Sequence, residues 1–326
     1  MRRRAFIKLI AGATVAWPFL AQAQQNKIYR IGYLSPGVPA KEAPGFDAFR
    51  KMLAALRYIE GRNLVIEERW LNGGKYEQLI SMAAELVDRK VDAIVTYSTP
   101  GVSAAQRATT TIPIVFLGVG DAVAAGLVSS LSRPGGNVTG SSYLTLELAS
   151  KRLELLKEAI PGLSHAAALF NSDNPATKPI ISTLRSRAQA LQLALSEFAI
   201  RAPVDQEATF AAMINDRVDG FVIVEDPVLI YNTEATANLA LKYRLAGCGF
   251  PEFARAGGFL AYGIDFIEMC RHGAIFVDKI LRGAKPADLP VEQPTKFVTL
   301  INSKTAKAIG VEAATSLLVR ADEVIE

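Results

Sequence analysis

Two stretches of this chain are written to one plan. VDAIVTYSTP (91 to 100) and VDGFVIVEDP (218 to 227) each open Val-Asp, run through apolar residues and end in a polar cluster closed by proline. A short apolar run that halts at polar residues and proline has the pattern of a buried strand feeding a loop. Around each copy, strand and helix periodicities alternate. In the first half, strands are expected at 27–35, 63–71, 91–97, 112–119 and 137–143. Helices are expected around Phe46, Phe49, Leu53 and Leu56, around Leu79 to Val87, from about 101, and at 124–131. In the second half, helices are expected at 146–162, 175–192, 205–216 and 231–245, and strands at 165–171, 193–200, 218–226, 247–252 and 258–264. A helical stripe follows (Phe266, Met269, Cys270, Gly273, Val277, Ile280, Leu281), then an extended stretch at 290–302 and a short helix at 303–309. This alternation means parallel sheets, with about ten strands in two doubly wound α/β halves. Ligands of such sheets bind at the carboxyl ends of the strands, so the cleft between the two is the natural site.

The 326 residues are half hydrophobic and 21% charged, which is ample for a large core and more than one domain. The first 23 residues read differently. MRRRAFIK is basic, LIAGATVAWPFL is apolar, and AQA precedes Gln24 as a small-x-small cleavage site, the layout of a secretory signal peptide. The apolar run is shorter than the roughly 20 residues a bilayer span needs, and Pro18 interrupts it. The expectation is therefore export to the periplasm without stable membrane insertion. Arg3-Arg4-Ala5-Phe6-Ile7-Lys8 is similar to the twin-arginine motif, although basic Sec signals share these features, so the route stays open. No cysteine follows the apolar run to carry a lipid. The segment holds Arg2, Arg3, Arg4 and Lys8 and no acid, so the net charge of +4 falls to about zero once it is removed. The basic balance belongs to the leader and does not point to nucleic acid. Cys248 and Cys270 could pair in an oxidising compartment, but Cys270 lies on the apolar stripe, and buried free thiols fit at least as well.

The loops after strands carry the candidate site. They hold Ser35-Pro36-Gly37, Ser98-Thr99-Pro100-Gly101, Gly120-Asp121, Asn171-Ser172-Asp173-Asn174-Pro175, Glu225-Asp226-Pro227 and Glu252, with neither His nor Cys among them. A hydrolase needs a nucleophile beside a base. The two histidines do not supply one: His165 precedes a strand on the far side from the cleft, and His272 lies off its helix's apolar stripe. No G-x-S-x-G surrounds Ser98, no phosphate loop is present, Gly118-Val119-Gly120 lacks the third glycine of a dinucleotide loop, and no metal-ligand spacing occurs. The reading is a non-enzyme without cofactor or metal. Ser98 and Thr99 sit where a strand gives way to a helix. There their hydroxyls and the free N–H groups of the helix suit a ligand carboxylate, or they simply cap that helix. Asp121, Glu225 or Asp226 could hold an ammonium by charge-assisted hydrogen bonds, or Asp121 could cap its own helix. Together these groups suit a zwitterion such as an amino acid.

At these residues the chain resembles the substrate-binding proteins of the tryptophan/tyrosine-type ABC transporter family. GFDAFRKMLAALRYIEGRNLVIEERW is similar to that family's Gly-Phe helix and the strand after it. The segment from DAIVTYSTPGVSAAQ to PGGNVTG resembles its most specific block, and KILRGAKPADLPVEQP and LINSKTAKAIGV its closing segments. The resemblance implies a type 1 periplasmic-binding fold, two doubly wound parallel-sheet lobes joined by three crossings near 143–146, 262–265 and 288–294. The lobes would comprise 27–142 plus 265–290 and 143–264 plus 291–326, behind a leader at 1–23. It implies a monomer that delivers a small solute to an ABC permease with a cytoplasmic ATPase. Ligand contacts are expected at Ser35, Ser98, Thr99, Pro100 and Asp121 in one lobe and at Asn171, Asp173, Asn174, Asp226 and Glu252 in the other. The chain departs from the family pattern in having Ser35-Pro36 in place of His-Pro, Asp121-Ala122 in place of Asp-Pro, and Asn-Ser-Asp-Asn-Pro in its second-lobe loop, so tryptophan is not carried over as the ligand. A sensory binding protein on the same fold, signalling to a membrane receptor, is the alternative. A repressor would need a DNA-binding helix pair where this chain has its leader.

Overall fold

A computed structural model describes residues 27–37, 44–72 and 75–326; the leader read at 1–23 lies outside them. The first half builds β1 (Tyr29–Ser35), α1 (Pro44–Ala55), β2 (Leu64–Trp70), α2 (Gln78–Asp88), β3 (Ala93–Thr96), α3 (Ser98–Ala108), β4 (Ile114–Val119) and β5 (Val138–Ser142). The second half builds α4 (Thr145–Ala159), β6 (His165–Phe170), α5 (Thr177–Ala190), β7 (Ala194–Ala199), α6 (Gln206–Asn215) and β8 (Gly220–Ile223). It continues with α7 (Pro227–Tyr231), α8 (Thr233–Lys242), β9 (Ala246–Gly249), α9 (Pro251–Arg255) and β10 (Leu260–Gly263). Last come α10 (Phe266–Leu281), β11 (Val298–Asn302), α11 (Ser303–Ile309), α12 (Thr315–Arg320) and β12 (Glu323–Ile325).

These strands form two sheets, ordered β2-β1-β3-β4-β5 and β12-β11-β10-β9-β8-β6-β7. The run β7-β6-β8-β9-β10 repeats the order of the first sheet. The repeated sequence plan now has a cause: β3 and β8 hold the same place, beside the first strand of their sheets. Both are buried on both faces, as a central parallel strand flanked by helices must be. The Val-Asp that opens each copy has one job in both. Asp92 accepts a hydrogen bond from the Arg30 N–H (2.8 Å), and Asp219 accepts from the Ser164 and His165 N–H groups (2.9 and 2.8 Å). Each carboxylate thus pins the start of its strand to the start of the neighbour. All pairings in the first sheet are parallel, whereas in the second β11 runs antiparallel to β10.

The chain passes between the sheets after β5, which leads to α4, and after β10, which leads to α10. The latter helix packs back on α1 and β4, burying Cys270, Ala274, Phe276 and Val277 among Ile31, Phe46, Phe49 and Val95. It passes once more before β11. The expected helix at 124–131 is not formed. After β4 the chain makes a series of turns with Gly126 at φ +69°, and this serine- and glycine-containing stretch gains no helical hydrogen-bond ladder. The strand expected at 247–252 stops at Gly249, because Pro251 starts the short α9. The helix expected at 231–245 forms as α8, while the short α7 before it, α12 and β12 had no counterpart in the pattern.

Cys248 lies in β9, in the core of the second sheet, and Cys270 in α10, in the core of the first; both are free and buried. The pairing left open by composition does not form, because each thiol is packed in a different core. Burial pushes the Cys248 thiol up to about 12 and raises that of Cys270 further above its ordinary value. Since the thiolate is the reactive form, a thiol reagent at neutral pH is expected to label neither cysteine in the native protein and both in denaturant. Stoichiometric labelling without denaturant would contradict this packing.

Candidate functional site

The carboxyl ends of the two sheets face each other across a cleft. On the first-sheet side, β3 ends at Tyr97, whose extended backbone (φ −149°, ψ 171°) turns the chain into α3. Ser98 follows at φ +59°, a left-handed conformation that a non-glycine residue adopts only at a cost of roughly 1–2 kcal/mol. Its Oγ is buried and has no hydrogen-bond partner among the described residues. No side chain caps α3, so neither Ser98 nor Thr99 performs the capping role that the sequence left open for them. Pro100 lies in the first turn of α3, where its missing N–H leaves no helical bond unmade.

On the second-sheet side the loop after β8 presents two adjacent carboxylates in unlike settings. Asp226 is buried and saturated: it accepts from Asn171 Nδ2 (2.9 Å), Asn174 Nδ2 (3.0 Å), the Val228 N–H (2.9 Å) and the Tyr76 hydroxyl (2.9 Å to each oxygen). Burial raises its pKa, and these donors oppose the rise. Glu225 is half satisfied. Its Oε1 accepts from the guanidinium of Arg152, while Oε2 is buried with no partner. Arg152 is itself 0% exposed. It donates to the Tyr262 carbonyl at the end of β10 (2.7 Å) and to the Ile223 carbonyl at the end of β8 (3.0 Å). Burial draws its pKa down, and the Glu225 carboxylate more than restores it.

Ser98, Thr99, Asn174, Glu225 and Asp226 line one inner chamber, walled by Tyr97, Tyr143 and Phe266 and floored by Gly118 and Gly120. There is little free space in it, about 30 Å³. It shares Thr99, Gly120, Thr145, Ala176 and Ile180 with an outer chamber of about 290 Å³ that reaches Asp121 and Pro175. The bare floor matters: a Cβ on Gly120 would stand 2.3 Å from Thr145 Oγ1, and one on Gly118 would stand 3.0 Å from Met269 Cε. A larger groove, about 690 Å³, runs along α4 outside the cleft, but its Lys151, Glu154 and Arg187 pair with one another. Among the described residues, no group of three His, Cys, Asp or Glu stands ready to hold a metal, and no helix is long and apolar enough to cross a membrane.

The two sides also touch directly. Tyr76, after β2, bonds Asp226, after β8. Tyr231 of α7 packs edge-on against Tyr97 at 6.0 Å between ring centroids, and it covers Gly37, where a Cβ would stand 2.0 Å from its ring.

Of the residues expected at the site, Ser98, Thr99, Asn174 and Asp226 come together in the inner chamber, and Asp121 rims the outer one. Asp121 also caps its own turn through the Val123 and Ala124 N–H groups (3.2 and 3.0 Å). Asn171 stands behind Asp226. Ser35 is buried at the end of β1, where its Oγ accepts from the Gly37 N–H (3.0 Å). Glu252 is at the start of α9 with a buried, unpartnered Oε1, and burial raises its pKa. Asp173 is exposed and faces Arg201 at 3.6 Å. Of the expected residues, Ser35, Pro100, Asn171, Asp173 and Glu252 line neither chamber. Sequence reasoning passed over Tyr76, Tyr97, Tyr143, Phe266 and Arg152. Arg152 left a signal: it falls at helical spacing between Leu148 and Leu156, a cation on an apolar stripe. Tyr76 lies in a loop after a strand, the class of position already singled out elsewhere.

Residues 44–325 match the family described as ABC transporter substrate binding protein. The tyrosine-binding protein of Clostridioides difficile (strain R20291) is 28% identical over 278 residues, covering 83% of this chain and 79% of that protein. Among solved structures, a conserved domain protein from Vibrio cholerae superposes with a TM-score of 0.84 at 25% identity, covering 91% of this chain and all of that one. A domain from Streptococcus pneumonia in complex with L-Trp superposes at 0.82 and 24% identity, covering 92% of this chain and all of that one. The fold is the type 1 periplasmic-binding fold.

Breaking the Arg152 cluster should be costly. Arg152→Met leaves the nearly buried Glu225 carboxylate unpaired and is expected to lower stability by about 3–5 kcal/mol, read from denaturant unfolding. Arg152→Met/Glu225→Gln should recover part of that loss. A double variant no more stable than the single one would show that the pairing is not what the loss reports.

Proposed function

The chain belongs to the family of ABC transporter substrate-binding proteins, and from that premise we propose that it captures a zwitterion, an amino acid as first choice, in the cleft between the two sheets. One observation carries the reading: Ser98 and Glu225, which each hold a buried polar atom without a partner (Oγ and Oε2), line one chamber from opposite lobes. A buried group left unpaired costs about 1–3 kcal/mol, and a ligand with a donor at one end and an acceptor at the other relieves both. Ser98, Thr99 and the N-terminus of the 11-residue α3 would take the carboxylate. Glu225, steadied by Arg152, would take the ammonium. Asp226, Asn171 and Asn174 would form the wall beneath it, and Asp121 would border the entry. Tyr97, Tyr143 and Phe266 would face an apolar or aromatic side chain, which makes L-tyrosine and L-tryptophan, named for two similar proteins, the first probes.

On this reading the protein performs no chemistry on its ligand. It works in the periplasm as a monomer and hands the solute to a permease driven by a cytoplasmic ATPase. Its lobes are 27–142 with 265–290 and 143–264 with 291–326, hinging at the three crossings. Mass spectrometry of the periplasmic protein should find an N-terminus at or near Gln24. A cytoplasmic chain that retains Met1 would overturn the export assignment.

A thermal-shift screen of the ligand-free protein against the amino acids tests the ligand class. A ligand at ~100 times its dissociation constant adds about 2.7 kcal/mol of stability. Calorimetric titration of that ligand into Ser98→Ala/Thr99→Ala should show affinity lower by tenfold or more, since a hydrogen bond to a charged group contributes about 1.5–3 kcal/mol. The melting temperature of the free variant should hold, because neither hydroxyl caps α3. No response to any amino acid, or an unchanged affinity in the variant, would refute the assignment.

A further inference from the structure

Tyr76 reaches across the cleft from outside both chambers. It follows β2 in the first lobe, and its hydroxyl lies 2.9 Å from each oxygen of Asp226 in the second. One proton facing two equidistant oxygens is centred on the carboxylate, and Asn171 Nδ2, at 3.3 Å, donates to the same hydroxyl. The other donors to Asp226 are Asn171, Asn174 and the Val228 N–H, all from its own lobe. Opening the cleft would therefore leave the carboxylate in place and oriented, missing only Tyr76.

We infer that Tyr76 is an affinity-determining residue that touches no ligand: it latches the lobes together through Asp226 and so sets how much of the protein is closed. The contact is a hydrogen bond to a charged group, strong enough after desolvation to change the closed-to-open ratio about tenfold. Any ligand that binds the closed form gains affinity as that form becomes more populated. The second seam, where Tyr231 lies on Gly37, holds only neutral groups: the Tyr231 hydroxyl faces those of Tyr97 and Ser35. It is also a close steric fit, in which a Cβ on Gly37 would meet the Tyr231 ring at 2.0 Å and the Tyr97 hydroxyl at 2.5 Å. Of the two, the latch is the one that ends on a charge. The inference rests on reading the cleft as a ligand site that opens and closes, but its test uses no ligand, so the two fail separately.

The test measures the distance between spin labels on Arg107→Cys and Gln189→Cys. These positions are exposed at the far ends of α3 and α5, in protein freed of small molecules by unfolding and refolding. The native thiols are buried and stay unlabelled. The otherwise unaltered protein should show a short and a long population. Tyr76→Phe should lower the short-to-long ratio about tenfold with an unchanged circular dichroism spectrum. Gly37→Ala, which wedges the seam, supplies the long-distance reference. In an Asp226→Asn background, where only a neutral amide oxygen is left to accept, Tyr76→Phe should have a clearly smaller effect. The inference is overturned by a ratio that Tyr76→Phe leaves unchanged, by an unaltered protein that matches Gly37→Ala, or by a full Tyr76→Phe effect in the absence of the Asp226 carboxylate.

Discussion

The Arg152 guanidinium is the point on which two strand ends and a cleft carboxylate all depend. It is fully buried, and a buried guanidinium is tolerable only where carbonyls and carboxylates replace its water. Here they come from three places: the end of β8, the end of β10 and Glu225. The end of β10 is where the chain leaves for the other lobe, and Glu225 faces the chamber. Gly263 allows the approach, since a Cβ there would stand 3.0 Å from Nη2. One side chain therefore fixes an acceptor in the cleft relative to a strand that feeds an interlobe crossing. Neither can shift without unpairing a buried charge.

The two lobes meet the cleft with opposite chemistry. The first contributes hydroxyls, a helix N-terminus and a serine held in the left-handed region; the second contributes carboxylates whose orientation is set by amides and a guanidinium. Strain at Ser98 and the unpartnered oxygens beside it are costs that persist only when the surrounding fold over-determines them. Tyr97 does so from one side, packed between Tyr231 and Phe266, and α3 from the other.

Most of the strand positions, though not their order in the sheets, could be read because central parallel strands are apolar on both faces and end abruptly; VDAIVTYSTP and VDGFVIVEDP mark β3 and β8 without ambiguity. The helix expected at 124–131 failed because apolar spacing over a few residues cannot outweigh a glycine at positive φ and the serines around it. The capping reading of Ser98 and Thr99 failed for a subtler reason. Capping preference is a statement about hydroxyls at helix starts, whereas here the extended Tyr97 takes the capping position and its phenol points into a core. Tyr76 and Arg152 were missed because their roles are tertiary: each acts on a residue at least 73 positions away. Composition could show that a cation sits on an apolar stripe, but not which carbonyls would receive it.

Gly118 and Gly120, too sparse in glycine context to mark a nucleotide loop, have a different meaning in the folded chain. Their missing side chains let Tyr143, Thr145 and Phe266 close over a floor of bare backbone. The capacity of the inner chamber is thus defined by atoms that are absent, and in steps of one methyl group. A methyl group on Gly120 would press on Thr145, at the crossing after β5, and one on Gly118, inside β4, would press on Met269 of α10, so neither position can gain bulk without moving an element that joins the lobes. The size of the chamber is thereby tied to the way the two lobes are joined.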